Sequence, residues 1–295
     1  MQFDLPNVRG KYEFNVPLKS LSFLNVGGSC DIKFSPRDEE DLIHFIKNKD
    51  PNLPVTVLGS MSNTLILDGG IRGCVIDLTK HLNEIEFLKN SARVSSGAKL
   101  SHFINKSVDN GLSSCEKLWG IPGTIGGAVC MNAGIPEFEI SDVLLSVGCI
   151  DRNGDYVVID KKGLNMSYRN GNIQDGFIVT KALLKTFAAD VNELKSTISI
   201  MNKKRLQTQP IGANTCGSTF KNPMGYRAWE LIKKSGCDRL SVGGAAVSDI
   251  HCNFLVNTGE ATADDFVRLI SLIKNKVQQS TGVILEEEVK IIGEN

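Results

Sequence analysis

The stretch Gly120–Gly134, GIPGTIGGAVCMNAG, holds five glycines and one proline and is nearly uncharged. A glycine run lets the backbone approach a ligand closely and adopt positive φ, and Pro122 stiffens the entry. Main-chain N–H groups in such a segment can face phosphate or ring carbonyl oxygens. Taken alone, the same run also reads as a tight glycine turn packed against a helix. A second glycine region weighs toward a ligand. Val55-Thr56-Val57-Leu58 reads as a buried strand and runs into Gly59-Ser60-Met61-Ser62-Asn63-Thr64, after which Leu65-Ile66-Leu67 leads to the turn Asp68-Gly69-Gly70. Neither region matches the dinucleotide fingerprint G-x-G-x-x-G opening a helix, nor the phosphate loop G-x-x-x-x-G-K-[ST], so Rossmann and P-loop folds are disfavoured.

With 295 residues the chain can form two or three domains of roughly 100 to 200 residues each. Lys+Arg and Asp+Glu both number 33, which argues against a global basic surface for nucleic acid. The amino terminus, MQFDLPNVRGKYEF, lacks the basic-then-apolar plan of a secretory signal. No apolar run nears the length of about 18 residues that a membrane span needs. A cytoplasmic protein with neither a nucleic-acid nor a membrane partner is expected. The eight cysteines are scattered without a C-x-x-C pair and the four histidines are dispersed. Buried reduced thiols and no metal site are therefore expected.

Periodicity supplies the elements. Leu42, Ile43, Phe45 and Ile46 share a helical face after an acidic first turn near Asp38. Leu100, Phe103, Ile104 and Val108 mark a second helix closed by Asn110-Gly111. Val147–Ile159 predicts a hairpin turning at Asn153-Gly154, and Phe177–Lys185 a further strand. Residues 81–187 thus read as an α+β region rich in antiparallel pairing. Beyond residue 189 come a long helix from Val191 that stops before Gln209-Pro210, another over 227–234, and a third with Thr262 as N-cap and Asp265 three positions on. A final strand is expected over Val283–Ile292; its alternation puts Glu286 and Glu288 on one face and Glu287 on the other.

Three segments read as chemical: Ser167-Tyr168-Arg169-Asn170, Cys216-Gly217-Ser218-Thr219-Phe220-Lys221-Asn222-Pro223 and Leu285-Glu286-Glu287-Glu288-Val289. With VLGSMSN, GIPGTIGGAVCMNAG, Asp68-Gly69-Gly70-Ile71-Arg72-Gly73, Gly243-Gly244-Ala245 and His251-Cys252-Asn253-Phe254, their order resembles the UDP-N-acetylenolpyruvoylglucosamine reductase family from about Leu21 to Gly293. The resemblance implies an α+β protein: a two-subdomain FAD-binding fold of the vanillyl-alcohol-oxidase/PCMH type plus a C-terminal α/β substrate domain. It implies FAD-binding subdomains over 1–80 and 81–187, a substrate-binding domain over 188–283, and a C-terminal strand over 284–295 carrying Glu288. Noncovalent FAD would lie against Gly59, Ser60, Met61, Ser62, Asn63 and Thr64, and against Gly120, Ile121, Pro122, Gly123, Thr124, Gly126, Gly127, Ala128, Asn132, Ala133 and Gly134. NADPH would be the hydride donor, a UDP-sugar the substrate, and the protein a monomer.

By the same match, Arg169 would hold and polarise the substrate carboxylate. Ser218 would deliver a proton and Glu288 would assist on the carboxylate side. Lys221 and Asn222 would contact substrate. Singly, each has a plainer reading: a surface cation, a turn serine, a solvated glutamate run. An ionised Glu288 would oppose developing negative charge, so it is expected to be neutral at turnover. The chain departs from the family pattern where Met61 replaces a glycine of G-x-G-S-N, where Gly171 replaces a serine, and where Ile135-Pro136-Glu137 replaces Ala-Tyr-Gly. The short stretch between Arg169 and Ser218 is similar to the family's shorter form. Two rivals are another flavoenzyme of the same architecture and a non-catalytic nucleotide-binding protein.

Overall fold

The computed structural model describes residues 3–295. These form two compact units. The first comprises the described residues up to Phe14 with Ile32–Ser60 and Gly73–Lys203; the second comprises Asn15–Asp31, Met61–Arg72 and Lys204–Asn295.

The first unit carries two sheets. One has the strand order Lys11–Pro17, Ser29–Ser35, Ile71–Asp77, Val55–Leu58, and its last pair is parallel, with Val55 opposite Cys74. Helix α1 (Glu39–Asn48) begins where the Asp38 carboxylate accepts the Asp41 N–H, and Glu39, Glu40 and Asp41 meet the positive end of its dipole. Its apolar face buries Leu42 and Phe45, and the Phe45 ring packs on Phe34 with centroids 4.6 Å apart. The other sheet is antiparallel with the order Tyr156–Asp160, Leu144–Ile150, Ile178–Lys185, Ser91–Ser95, Ile85–Phe87. The expected Asn153-Gly154 hairpin joins its first two strands, with Gly154 at φ +81°. Against this sheet lie α2 (Leu100–Asp109) and α3 (Ile125–Cys130), whose Phe103, Ile104, Ile125 and Val129 share a core with Val94, Val147 and Leu184. The division at 80, 187 and 283 is a proposal; Gly73–Lys203 runs through the first unit without a break.

The second unit sets helix Ala263–Thr281 on a three-stranded antiparallel sheet of order Ser241–Val242, Ala245–Val247, Leu255–Asn257, and helix Ala228–Lys234 packs on that helix. Thr262 and Asp265 make the reciprocal capping box that their spacing predicts. The Asp68 carboxylate also accepts the Ala263 and Asp264 N–H groups at 2.9 and 3.0 Å. Phe266, Leu269, Ile270, Ile273 and Val277 are buried, and Gly282 ends the helix at φ +74°. The expected final strand is shorter than its sequence suggests. Lys290–Ile292 pairs in parallel with Thr64–Ile66, and before it Glu287 makes an isolated antiparallel bridge to Phe220.

No disulfide forms among the described cysteines. Cys130, at the end of α3, is exposed rather than buried. Among the described residues no helix is long and apolar enough to cross a membrane.

Candidate active site

Inside the first unit the two glycine regions touch. A Cβ at Gly59 would fall 2.7 Å from Thr124 Oγ1, so only glycine lets the end of strand Val55–Leu58 approach this closely. Thr124 is buried and its hydroxyl accepts the Gly127 N–H at 3.2 Å, capping α3. Gly120 and Gly123 sit at φ +84° and +135°, in the region that favours glycine. The expectation that main-chain donors face a ligand is corrected for four of them. The N–H groups of Ile125, Gly126, Gly127 and Ala128 donate to Ala98 O, Ser96 O, Thr124 Oγ1 and Thr124 O. What this segment offers is close approach and small side chains. The other loop passes into the second unit after Ser60. There Met61 lies at φ +52°, a left-handed bend suited to anion-binding turns. The meeting of loops so distant in sequence fits FAD, whose phosphates and ring need a cradle without bulky side chains.

Arg169 stands beside this segment. Tyr168 and Arg169 are the centre of a two-residue turn in which Ser167 and Asn170 exchange both backbone hydrogen bonds at 2.9 Å. Arg169 is at φ +55°, which such a turn ordinarily gives to glycine. Three bonds seat the turn. Gly171 N donates to Cys130 O at 2.9 Å, the Asn132 side chain donates to Ser167 O at 3.0 Å, and Arg169 Nη2 donates to Gly134 O at 2.8 Å. Gly171 must be glycine here, since a Cβ would meet Val129 O at 2.1 Å. The guanidinium also stacks on the Tyr168 ring, 4.9 Å from its centroid, and pairs with the Glu139 carboxylate at 3.6 Å. Asn132 turns its donors inward, to Ser167 O and Glu139 Oε2, and so backs the turn.

Inside the second unit the sequence-predicted Ser218 and Glu288 come together. Thr219 N donates to Asn253 O at 2.7 Å, and Thr219 O accepts the Glu288 N–H at 2.8 Å. Ser218 therefore precedes, and Glu288 is bonded to, the same residue. The buried Asn253 side chain fixes the next residue, its Oδ1 accepting Phe220 N at 3.0 Å and its Nδ2 donating to Phe220 O at 2.8 Å. Burial pushes the Cys216 thiol up to about 12, and the nearby Glu288 charge adds to this. Burial likewise lowers His251 below its ordinary value; its Nδ1 accepts Asn253 N–H at 3.2 Å, leaving the proton on Nε2. Asn63 ties the other loop to the same place, donating to Glu288 O at 3.1 Å and accepting Lys290 N–H at 3.0 Å. Glu286 pairs with Lys221 and Glu287 with Lys274. Asn222 Oδ1 accepts Ala228 N–H at 2.9 Å, which satisfies a donor at the start of helix Ala228–Lys234. Glu139 is not marked by the sequence, and Asn253 is marked only as part of the His251–Phe254 segment. The partners Arg169 and Phe220 lie 30 and 33 residues away, and only the acidic residue three positions before Asp142 hints at a cap.

A family model described as the C-terminal domain of UDP-N-acetylenolpyruvoylglucosamine reductase matches residues 209–292, and one described as an FAD binding domain matches residues 31–160. The chain is 40% identical over 289 residues to the UDP-N-acetylenolpyruvoylglucosamine reductase of Rickettsia typhi, covering 98% of each chain. It is 42% identical over 293 residues to that of Orientia tsutsugamushi, covering 98% of this chain and 97% of the relative. The crystal structure of the Thermus caldophilus enzyme of that name superposes with a TM-score of 0.81 at 32% identity, over 97% of this chain and all of the other. The chain belongs to the UDP-N-acetylenolpyruvoylglucosamine reductase family.

Proposed function

We propose that the protein reduces UDP-N-acetylglucosamine enolpyruvate to UDP-N-acetylmuramate, a step of peptidoglycan precursor synthesis, with bound FAD and with NADPH as hydride donor. The observation that supports this most is the joining of Ser218 and Glu288 across the Thr219 backbone. FAD, when bound, supplies hydride transfer, which no side chain can perform. Gly59, Thr124 and the small residues around them would hold it.

Addition of hydride to the terminal enolpyruvyl carbon leaves negative charge on the adjacent carbon, delocalised into the carboxylate. Arg169 binds that carboxylate and offsets the charge, for which a planar, permanently cationic fork is suited. The Ser218 hydroxyl delivers a proton to the carbon next to the carboxylate. A hydroxyl is a weak acid, so this step depends on the strong basicity of the intermediate. Glu288 assists in its neutral form, because an ionised carboxylate would repel the developing charge. Lys221 and Asn222 contact the UDP-sugar.

Rapid-mixing measurements on Ser218→Ala test the assignment. The flavin should still be reduced by NADPH at the wild-type rate, while reoxidation by the enolpyruvyl sugar should fail; equal loss of both half-reactions would defeat it. NADPH oxidation that does not depend on the enolpyruvyl sugar would favour another flavoenzyme, and colourless protein that binds no flavin a nucleotide-binding role.

A further inference from the structure

Arg169 needs more than its own turn to serve as a carboxylate clamp. An arginine side chain has several rotatable bonds, and a cation that wanders loses much of its bidentate geometry. The structure holds this one at two points. Nη2 donates to Gly134 O at 2.8 Å, and Nη1 stands 3.6 Å from Glu139 Oε1. The second contact is longer than a hydrogen bond, so Glu139 orients the guanidinium by charge while Gly134 supplies the directional bond.

Glu139 is itself fixed. Its Oε2 accepts the Asn132 Nδ2 donor at 2.7 Å. Its carboxylate also accepts the Asp142 backbone N–H, while its own N–H donates to Asp142 Oδ2 at 2.9 Å, a reciprocal cap on the short 3₁₀ turn Ile140–Asp142. Asn132, which bonds Glu139, bonds Ser167 O at the base of the arginine turn as well. The side chains of Arg169 and Glu139 are only 15% and 27% exposed, so water screens the pair poorly.

We propose that Glu139 is a positioning residue that sets the plane of the Arg169 guanidinium against the substrate carboxylate, an inference that rests on the reading of Arg169 given above. Glutamine in its place keeps one oxygen for Asn132 but loses the charge, and its amide can turn a donor toward Nη1. The flavin-binding glycines are left as they are.

The test uses the FAD-loaded full-length protein, rapid mixing and two variants of Glu139. In Glu139→Gln, flavin reduction by NADPH should change by less than about twofold, whereas the saturating rate of reoxidation by the enolpyruvyl sugar should fall about tenfold or more. Glu139→Asp, which keeps the charge, should recover part of that loss; it also serves if the glutamine variant does not fold. In an Arg169→Lys background the glutamine substitution should add little further loss, because its route of action is already gone. Wild-type reoxidation in Glu139→Gln, or an equal loss in the lysine background, overturns the inference while leaving Arg169 in place. Normal reoxidation in Arg169→Lys alone defeats the reading of Arg169 and the inference with it.

Discussion

Gly59→Ala isolates the contact on which the candidate flavin cradle depends. Gly59 is not in the left-handed region, so alanine brings no backbone strain. Its methyl would lie 2.7 Å from Thr124 Oγ1, yet 3.5 and 3.7 Å from Thr124 Cγ2 and Cβ, which are ordinary contacts. The conflict is with one atom. That oxygen caps α3 through Gly127 N, and Thr124 is 2% exposed, so the hydroxyl has little room to retreat. Loss of an N-cap costs about 1 kcal/mol and overpacking about 1–3 kcal/mol. The less flexible unfolded chain returns about 0.4–1 kcal/mol. The net is a loss of about 2 kcal/mol, or a fall of about 4–8 °C in melting temperature for a domain of this size. Thermal unfolding with FAD in excess reads the loss, and titration of stripped protein with FAD should show weaker binding. In a Thr124→Ala background the oxygen is gone and the cap already lost, so Gly59→Ala should then leave stability unchanged or raise it by about 0.4–1 kcal/mol. An equal loss in both backgrounds would refute the reasoning.

Three further outcomes follow from other sites. Met61→Gly should relieve a left-handed strain of about 1–2 kcal/mol against a glycine entropy cost of about 0.5–1 kcal/mol, and so raise the melting temperature slightly; a fall would contradict the φ of +52°. Gly171→Ser restores the family's usual residue but drives a Cβ against the Val129 and Cys130 carbonyls at 2.1 and 2.8 Å. Because backbone cannot yield as a side chain does, reoxidation by substrate should slow with a stability loss of about 1–3 kcal/mol or more, and unchanged kinetics would count against the docked turn. Glu13 is held down from 4.5 to about 2, first by its contact with Lys33 and then by Lys80. A folded value below the unfolded one gives stability that is present above about pH 4.5 and lost as pH falls toward 2. The gap in melting temperature between wild type and Glu13→Gln should therefore narrow over that interval, and a constant gap would rule out this linkage.

The legible parts of the fold were those set by local signals. Asp38 before an acidic first turn, the Thr262–Asp265 pair and Asn153-Gly154 each determine their element within a few residues, and each forms it. The final strand was overextended because its length depends on its partner. Val283–Ile292 has strand-like composition, but regular pairing is confined to Lys290–Ile292 on Thr64–Ile66, with a single bridge from Glu287 to Phe220 before it. Within that segment Glu286 and Glu287 meet different cations, Lys221 and Lys274. Glycine content likewise singles out the Gly120–Gly134 segment for an incomplete reason. Four of its donors close bonds inside the protein, while the need for glycine at 59 and 171 comes from neighbours distant in sequence.

Backbone conformation separates two kinds of departure from the family pattern. The non-glycine residues at positive φ among the described residues are asparagines except for Met61 and Arg169. Asparagine adopts this region with little penalty, whereas unbranched side chains such as these do so against a preference of about 1–2 kcal/mol. Both exceptions lie in segments that the family resemblance marks as functional, and such strain persists only if the surroundings enforce it. For Arg169 the enforcement is visible: two backbone exchanges, the Gly171 bond and the Gly134 bond hold the turn. Glycine there would relax the backbone and remove the cation. Met61 has no comparable chemistry to perform, so glycine at 61 should be tolerated and glycine at 169 should not. On the proposed role of Arg169, strain at that position serves the site, whereas at Met61 it is a burden that the loop carries.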